Sequence, residues 1–249
     1  MFIYEDTRTS VNLGDEMNYG IGIDLGIESY ASVCDEMYDS IKIPSFLDDV
    51  KYKKLCEEIK YFQRLISKKA EVNYKRLYDD FIKSHHREPN EKEINIMKGE
   101  SYRSNNIKKL QHKVRVLYTK RSNYALDFIL KLVNKLTITK PEYITIEKLD
   151  IKAMLEHDDS SHTLKDHIAK SKWHEFGIRL ANKCHDRGIE LRQADKWFAS
   201  SKKCSRCGTK NENLTLNDRL YYCAECGLKI DRDINAAINL CFKKKYSII

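Results

Sequence analysis

No apolar run in this sequence approaches the ~18 residues that a membrane-spanning helix requires, so no span is expected. Met1 to Gly14 is polar and charged, which predicts no secretory signal. Internal repeats are absent. Prolines are scarce, three in 249 residues, and each marks a boundary. Pro44 closes an apolar strand, Pro89 lies in a charged stretch, and Pro141 precedes another strand. A disulfide framework is lacking too. Of eight cysteines, Cys34, Cys56, Cys184 and Cys241 are scattered singly, and the other four form two Cys-x-x-Cys pairs. That usage suits a reducing, cytoplasmic compartment and a metal site better than a set of disulfides.

What is present reads as one soluble globular chain: 41% hydrophobic and 33% charged residues. Lys and Arg number 45 against 37 Asp and Glu, a formal charge of +8. Four zinc-bound thiolates would add about −2 at their site and leave the chain basic. A basic balance permits a phosphate-rich partner without requiring one.

The pattern along the chain predicts an α/β fold. Residues 1–18 lack a period and read as a tail. Tyr19 to Ile27, Tyr30 to Cys34 and Ser40 to Pro44 read as three strands of an antiparallel meander. The period then becomes helical: Tyr52, Leu55, Ile59, Phe62 and Ile66 recur at three- and four-residue spacing. The charged stretch Lys83 to Glu100 is expected to break the helical region. A second stripe runs through Ile107, Leu110, Val114, Leu117, Tyr124, Phe128 and Leu132. The two stripes would pack as an antiparallel hairpin inserted over about residues 50–139. The far side of the second helix carries Lys108, Lys109, Lys113, Arg115 and Lys120, either a solvated face or one turned to nucleic acid. Glu142 to Lys148 reads as a β-branched strand. His162 to Arg187 reads as one helix with Ile168, Trp173, Phe176 and Leu180 inward and Gly188 as its stop. Ile189 to Ala194 reads as a strand, and a last helix starts at Asp231 or Asp233.

Cys204-Ser-Arg-Cys207 and Cys223-Ala-Glu-Cys226 are 15 residues apart, each followed by glycine, Gly208 and Gly227. Each pair aims two sulfurs at one point, and two pairs complete a closed tetrahedral zinc site of structural type. This predicts a zinc ribbon over residues 200–230.

Asp24, in Gly22-Ile-Asp-Leu-Gly26, and Glu147, after Tyr143 to Ile146, both end apolar strands. Burying either carboxylate is costly without a cation nearby. Glycines flanking Asp24 would let a ligand approach. Asp24 also fits a turn, and Glu147 an edge charge. Asp231-Arg-Asp-Ile-Asn-Ala-Ala237 opens a helix, so either aspartate could be an N-cap; Asp231 could cap while Asp233 faces inward. In an RNase H-like mixed sheet, the first strand ends beside the fourth, and a following helix can bring a third acid. Such a cluster would hold two Mg²⁺ roughly 4 Å apart, which activate a water and stabilise the leaving oxygen of a phosphodiester.

These motifs, in this order, resemble the TnpB family: Gly22-Ile-Asp-Leu-Gly26, Ile146-Glu-Lys-Leu-Asp150, the two Cys-x-x-Cys-Gly knuckles and Asp231 to Ala237. Asp195 to Cys204 resembles the family's lead into the ribbon, with Ala199 where the family usually has proline. The resemblance covers about residues 19–242. It implies a transposon-associated, RNA-guided DNA endonuclease with a RuvC domain like those of type V CRISPR effectors. It places the catalytic acids on Asp24, Glu147 and, by the family's Asp-x-Asn pattern, Asp233. It implies structural Zn²⁺, two catalytic Mg²⁺ or Mn²⁺ ions, and phosphate contacts at Arg232, Lys202, Lys203 and Arg206. It divides the chain into a RuvC-like domain over residues 19–199, the ribbon over 200–230, and a final RuvC segment with a tail over 231–249. DNA and a guide RNA are the implied partners, and the implied location is cytoplasmic and nucleoid-associated. The family carries a recognition and wedge portion where only about 18 residues precede the first strand here. Guide reading would therefore fall to a second protein, a second copy, or the hairpin. The competing readings are a non-cleaving nucleic-acid-binding regulator, a decayed remnant of the same family, and a Holliday-junction resolvase. The ribbon and the long helical insertion argue against the resolvase.

Overall fold

The apolar run after Tyr19 forms strand Gly20–Leu25 (β1) in the computed structural model, which describes residues 19–148, 162–195, 198–215 and 218–248. The expected tail over 1–18 and the Leu149-Asp150 end of the second acidic motif lie outside the described residues. Ser29–Asp35 (β2) returns antiparallel to β1, and Ser40–Pro44 (β3) pairs antiparallel with β2. On its other side β1 pairs in parallel with Tyr143–Glu147 (β4), and β4 in parallel with Glu190–Ala194 (β5). Leu220–Tyr222 (β6) and Lys229–Asp231 (β7) form a separate two-stranded sheet. Tyr246–Ile248 (β8) pairs antiparallel with β5, completing a mixed sheet in the order β3-β2-β1-β4-β5-β8. β8 corrects the reading of this end as a tail. Its Tyr246 ring lies 4.3 Å from the Arg192 guanidinium, which also sits 3.5 Å over Tyr143.

Strand pleating sorts the sheet residues. Ile21, Ile23, Ile144, Ile146 and Leu191 share one face and are buried. Gly22, Asp24, Ser32, Cys34 and Thr145 share the other.

Between β3 and β4 run Val50–His85 (α1), Glu91–Ser101 (α2) and Asn105–Thr137 (α3). Residues 46–128 form one compact unit, and the other described residues form a second. Within the helical unit, Phe46 meets Phe128, Tyr52 meets Tyr124, and Gln63 bonds Tyr118. The descending partner numbers make α1 and α3 antiparallel, as the two stripes imply. The five cationic residues on the far side of α3 are exposed, with the Lys113 ammonium 4.2 Å over the Phe62 ring.

The charged stretch breaks the helical region as expected, but only over residues 86–90: α1 continues to His85, and α2 occupies the second half of the stretch. A capping box starts α2. Asn90 Oδ1 accepts from the Glu93 amide at 3.0 Å, and Glu93 Oε2 accepts from the Asn90 amide at 2.8 Å.

The expected single helix from His162 to Arg187 is two: His162–Ser171 (α4) and Trp173–Arg187 (α5), split at Lys172, which has φ 54°. Five residues separate Ile168 from Trp173, about 140° off a common helical face. Breaking the helix between them lets both be buried. α5 ends at Gly188, as read.

The last helix, Arg232–Cys241 (α6), packs on β1 and β2. A Cβ on Gly22 would overlap the Ala237 carbonyl oxygen and the Cys241 backbone nitrogen. Gly22 therefore makes room for a helix rather than for a ligand, a correction to its expected purpose. Because the obstruction is backbone, a side chain cannot move aside to relieve it. Gly22→Ala should lower unfolding free energy by about 3 kcal/mol in urea titrations. Gly99→Ala, in α2 where an added Cβ meets nothing within 4 Å, should be neutral or stabilising. Equal effects of the two substitutions would contradict this account.

Candidate functional site

Carrying the β1–β4 register one step past Ile23↔Ile146 puts Asp24 beside Glu147. α6 sets Asp233 over the same face: it is buried, as is Asp24. Burial first, then the charges of Glu147 and Asp233, push the Asp24 carboxyl well above its ordinary range, while Arg232 and Lys42 pull the other way. Burial also raises Glu147. The two aspartates at the start of α6 have separate tasks. Asp231 is the N-cap, accepting from the amides of Asp233 at 2.9 Å and Ile234 at 3.2 Å. Asp233 turns its side chain to two cations. Arg232 donates to its Oδ1 at 3.1 and 3.2 Å, and Lys42 Nζ lies 3.4 Å from its Oδ2.

Lys42 is a site residue that the sequence reading missed. Its ammonium also pairs with Asp231 at 2.7 Å. Burial lowers its pKa, but the two aspartates outweigh that and raise it. The same bond helps hold Asp231 below its ordinary range against the effect of burial. The signal was available in the meander: Asp24 pairs with Ser32, and Ser32 with Lys42, so three polar residues cross adjacent strands in one row. Ser32 Oγ is buried in that row with no hydrogen-bond partner among the described residues.

The four cysteines converge, with all sulfurs within 4.8 Å of one another. Cys204 and Cys226 are 3.6 Å apart, and Cys207 and Cys223 are 3.5 Å apart. A tetrahedral thiolate site with ~2.3 Å bonds needs sulfurs ~3.8 Å apart, so the set fits such an ion. Each knuckle closes the same way. The Gly208 and Gly227 amides donate to the Cys204 and Cys223 carbonyls, both at 2.9 Å, from φ values of 80° and 71° that favour glycine. Among the described residues, the thiols alone converge in this manner. The three carboxylates share a face without meeting at one point.

Asn235 joins the two centres. It is fully buried: its Oδ1 accepts from the Ser205 amide at 3.0 Å, and its Nδ2 donates to the Lys203 carbonyl at 2.7 Å. Asn239 Nδ2 bonds the same Lys203 carbonyl at 2.7 Å and that of Ser200 at 2.8 Å. The first knuckle is thus clamped to the helix that carries Asp233. Of the expected phosphate contacts, Arg232 lies against Asp233, Lys203 and Arg206 are exposed, and Lys202 is half-buried.

Comparison with known proteins places this arrangement. Residues 173–240, from α5 through the ribbon into α6, match the family profile of the Cas12f1-like TNB domain. A Streptomyces pristinaespiralis protein, named provisionally as an RNA-guided DNA endonuclease, is 35% identical over 137 residues, 55% of this chain and 33% of that one. A TnpB-like protein of Acanthamoeba polyphaga mimivirus is 30% identical over 135 residues, 53% of this chain and 25% of that one. Over these residues the chain is similar to TnpB-like and RNA-guided endonuclease proteins. It matches only a third or less of the length of these relatives. Its fold is similar to that of Cas12f1 solved with single-guide RNA and target DNA, with TM-score 0.53 and 16% identity over 92% of this chain and 39% of that one.

Two measurements test the geometry. Unfolded aspartate ionises near pH 3.9. With its native pKa raised, Asp24 costs nothing below that pH, and the cost grows as pH rises until the native group ionises. Asp24→Asn should therefore raise the Tm of the metal-free chain by a few degrees at pH 8, about 1 kcal/mol being worth about 2–4 °C at this size. The gain should vanish near pH 4; a pH-independent gain would refute the burial argument. Asn235→Ala should remove about 1–3 kcal/mol of hydrogen bonding. Hydrogen-exchange mass spectrometry should show the Ser205 amide exchanging roughly tenfold faster or more, with unchanged protection meaning that the clamp is inert.

Proposed function

We propose that the chain is the catalytic part of a metal-dependent, RNA-guided DNA endonuclease of TnpB type. Its centre would be RNase H-like, of RuvC kind, over residues 19–199 and 231–249, with a zinc ribbon at 200–230. One observation carries the reading: three carboxylates from β1, β4 and α6 share a single face of a mixed sheet. Two are buried, and an orphaned hydroxyl lies beside them. Three hard oxygen donors suit Mg²⁺ or Mn²⁺. Asp24, Glu147 and Asp233 would hold the ions, and Cys204, Cys207, Cys223 and Cys226 a structural Zn²⁺. Bound divalent ions would supply an activated water and charge stabilisation at the leaving oxygen.

The chain's own residues prepare the site. β1 and β4 fix Asp24 and Glu147 on rigid backbone. The Asp231 cap sets the first turn of α6, so Asp233 keeps its direction without taking part in capping. Lys42 and Arg232 hold Asp233 by ion pairs, and both would be placed to contact a phosphodiester if divalent ions took over the carboxylate. DNA and a guide RNA are the proposed partners.

A second reading has specific support. A Pelobacter propionicus relative, 30% identical over 122 residues (46% of this chain and 18% of that one), is named a CRISPR-associated DNA-binding protein, Cas12m. With Lys42 and Arg232 on Asp233, a binder that does not cut is the alternative. Incubating guide-matched and single-stranded DNA with Mg²⁺ separates the two. Nuclease action predicts cleavage by the wild type and a loss on the order of 10³-fold or more in Asp24→Ala. Equal residual activity in both proteins sinks the nuclease reading, and retained binding without cutting favours the regulator. Elemental analysis should find about one zinc per chain, lost in Cys204→Ser/Cys223→Ser.

A further inference from the structure

Ser32 Oγ and Thr145 Oγ1 are buried on the face of the sheet that α6 covers, and neither has a hydrogen-bond partner among the described residues. An aliphatic side chain would fill either place without leaving a polar atom unpaired. Their rows across the sheet differ. Thr145 stands between Gly22 and Arg192, with Cys34 beyond Gly22, and no acid shares that row. Ser32 stands between Asp24 on β1 and Lys42 on β3. Residues directly opposite on antiparallel strands have Cβ atoms about 4.5–5.5 Å apart, a gap that a serine and an aspartate side chain together can close.

The neighbours dictate which way the hydroxyl points. An ammonium only donates, so Lys42 can meet nothing but the lone pairs of Ser32 Oγ. An ionised carboxylate only accepts, so Asp24 can take the hydroxyl hydrogen. A carboxylate that gives one oxygen to a metal ion keeps a second, and ligating carboxylates are themselves hydrogen-bonded. The two cations near Asp24, Lys42 and Arg232, are committed to Asp233. Ser32, at 1% exposure, is shut off from bulk water and stands directly across from the acid.

We propose that Ser32 is a positioning residue for Asp24: its hydroxyl donates to the carboxylate oxygen that a divalent ion leaves free, and so turns the other oxygen toward the ion. This deepens the proposed centre and rests on the acids holding a divalent ion, but not on their cutting DNA. It also gives the orphaned hydroxyl a partner that forms only when the ion is bound.

The test uses the full zinc-loaded chain without nucleic acid, so cleavage plays no part. Mn²⁺ is titrated while the electron paramagnetic resonance signal of the free ion is followed, and the binding lost in Asp24→Ala is assigned to the carboxylates. Ser32→Ala should weaken that binding about tenfold or more. Thr145→Val, which removes the other orphaned hydroxyl at nearly constant volume, should leave it unchanged. Without metal, Ser32→Ala should melt no lower than the wild type, because the serine hydroxyl has no bond there to lose. The Mn²⁺-induced infrared band of the carboxylates should shift in Ser32→Ala and not in Thr145→Val, a change that packing alone does not produce. Asp24-dependent Mn²⁺ binding of wild-type strength in Ser32→Ala would overturn the assignment and leave the metal centre standing. Equal losses in Ser32→Ala and Thr145→Val would overturn it as well, as an effect of packing. Mn²⁺ binding undiminished in Asp24→Ala would sink the metal-dependent centre and this role with it.

Discussion

Helix α6 lies so near β1 that a methyl group on Gly22 has no room, and the placement of both centres depends on that contact. The approach fixes the height of α6 above the sheet. Cys241 Sγ donates to the Gly20 carbonyl at 3.4 Å, and Tyr143 Oη to the Cys241 carbonyl at 3.1 Å. Helical geometry then divides the labour. Asp233, Ala237 and Cys241 recur at four-residue spacing on the side toward the sheet. Asn235 and Asn239, also four apart, take the side toward the knuckle. Residues two apart on a helix point nearly opposite ways, so an Asp-x-Asn pair suits a helix wedged between a sheet and a ribbon.

Most of this was legible in the residues. The knuckles followed from spacing, because four sulfurs have few other ways to satisfy one another. The sheet strands followed from β-branched runs, and the roles of Asp231 and Asp233 from the competition between capping and facing inward. Other features were hidden for separate reasons. Lys42 looked like an ordinary charge in a half-exposed strand, and only the pairing register aligns it with Ser32 and Asp24. The break at residues 86–90 was legible in the charged stretch, while the capping box at Asn90 and Glu93 that restarts the helix was hidden by the density of charge around it. Gly22 resembled a ligand-facing glycine because sequence does not say which backbone will come close. The split at Lys172 lay in one wrong spacing, five residues where a single face needs three or four.

The electrostatics divide along the same lines. Buried Asp24 and Glu147 carry the cost of like charges in a poorly solvated place. Asp231 and Lys42, half-exposed and paired, have their charged forms favoured. A cluster so arranged is under strain in its own charge, which gives it a thermodynamic reason to take up cations. The thiol centre differs, since its four sulfurs already converge.

Lys42 has a consequence outside the cluster. β3 is a terminal strand of the sheet, and a terminal strand offers unpaired amides and carbonyls to any passing chain. A charged side chain turned inward, with Pro44 removing a donor at the strand's end, makes β3 a poor template for another strand. The ion pair that steadies Asp233 thereby also guards the molecule against edge-to-edge aggregation. An uncharged side chain at this position would expose both the acids and the edge.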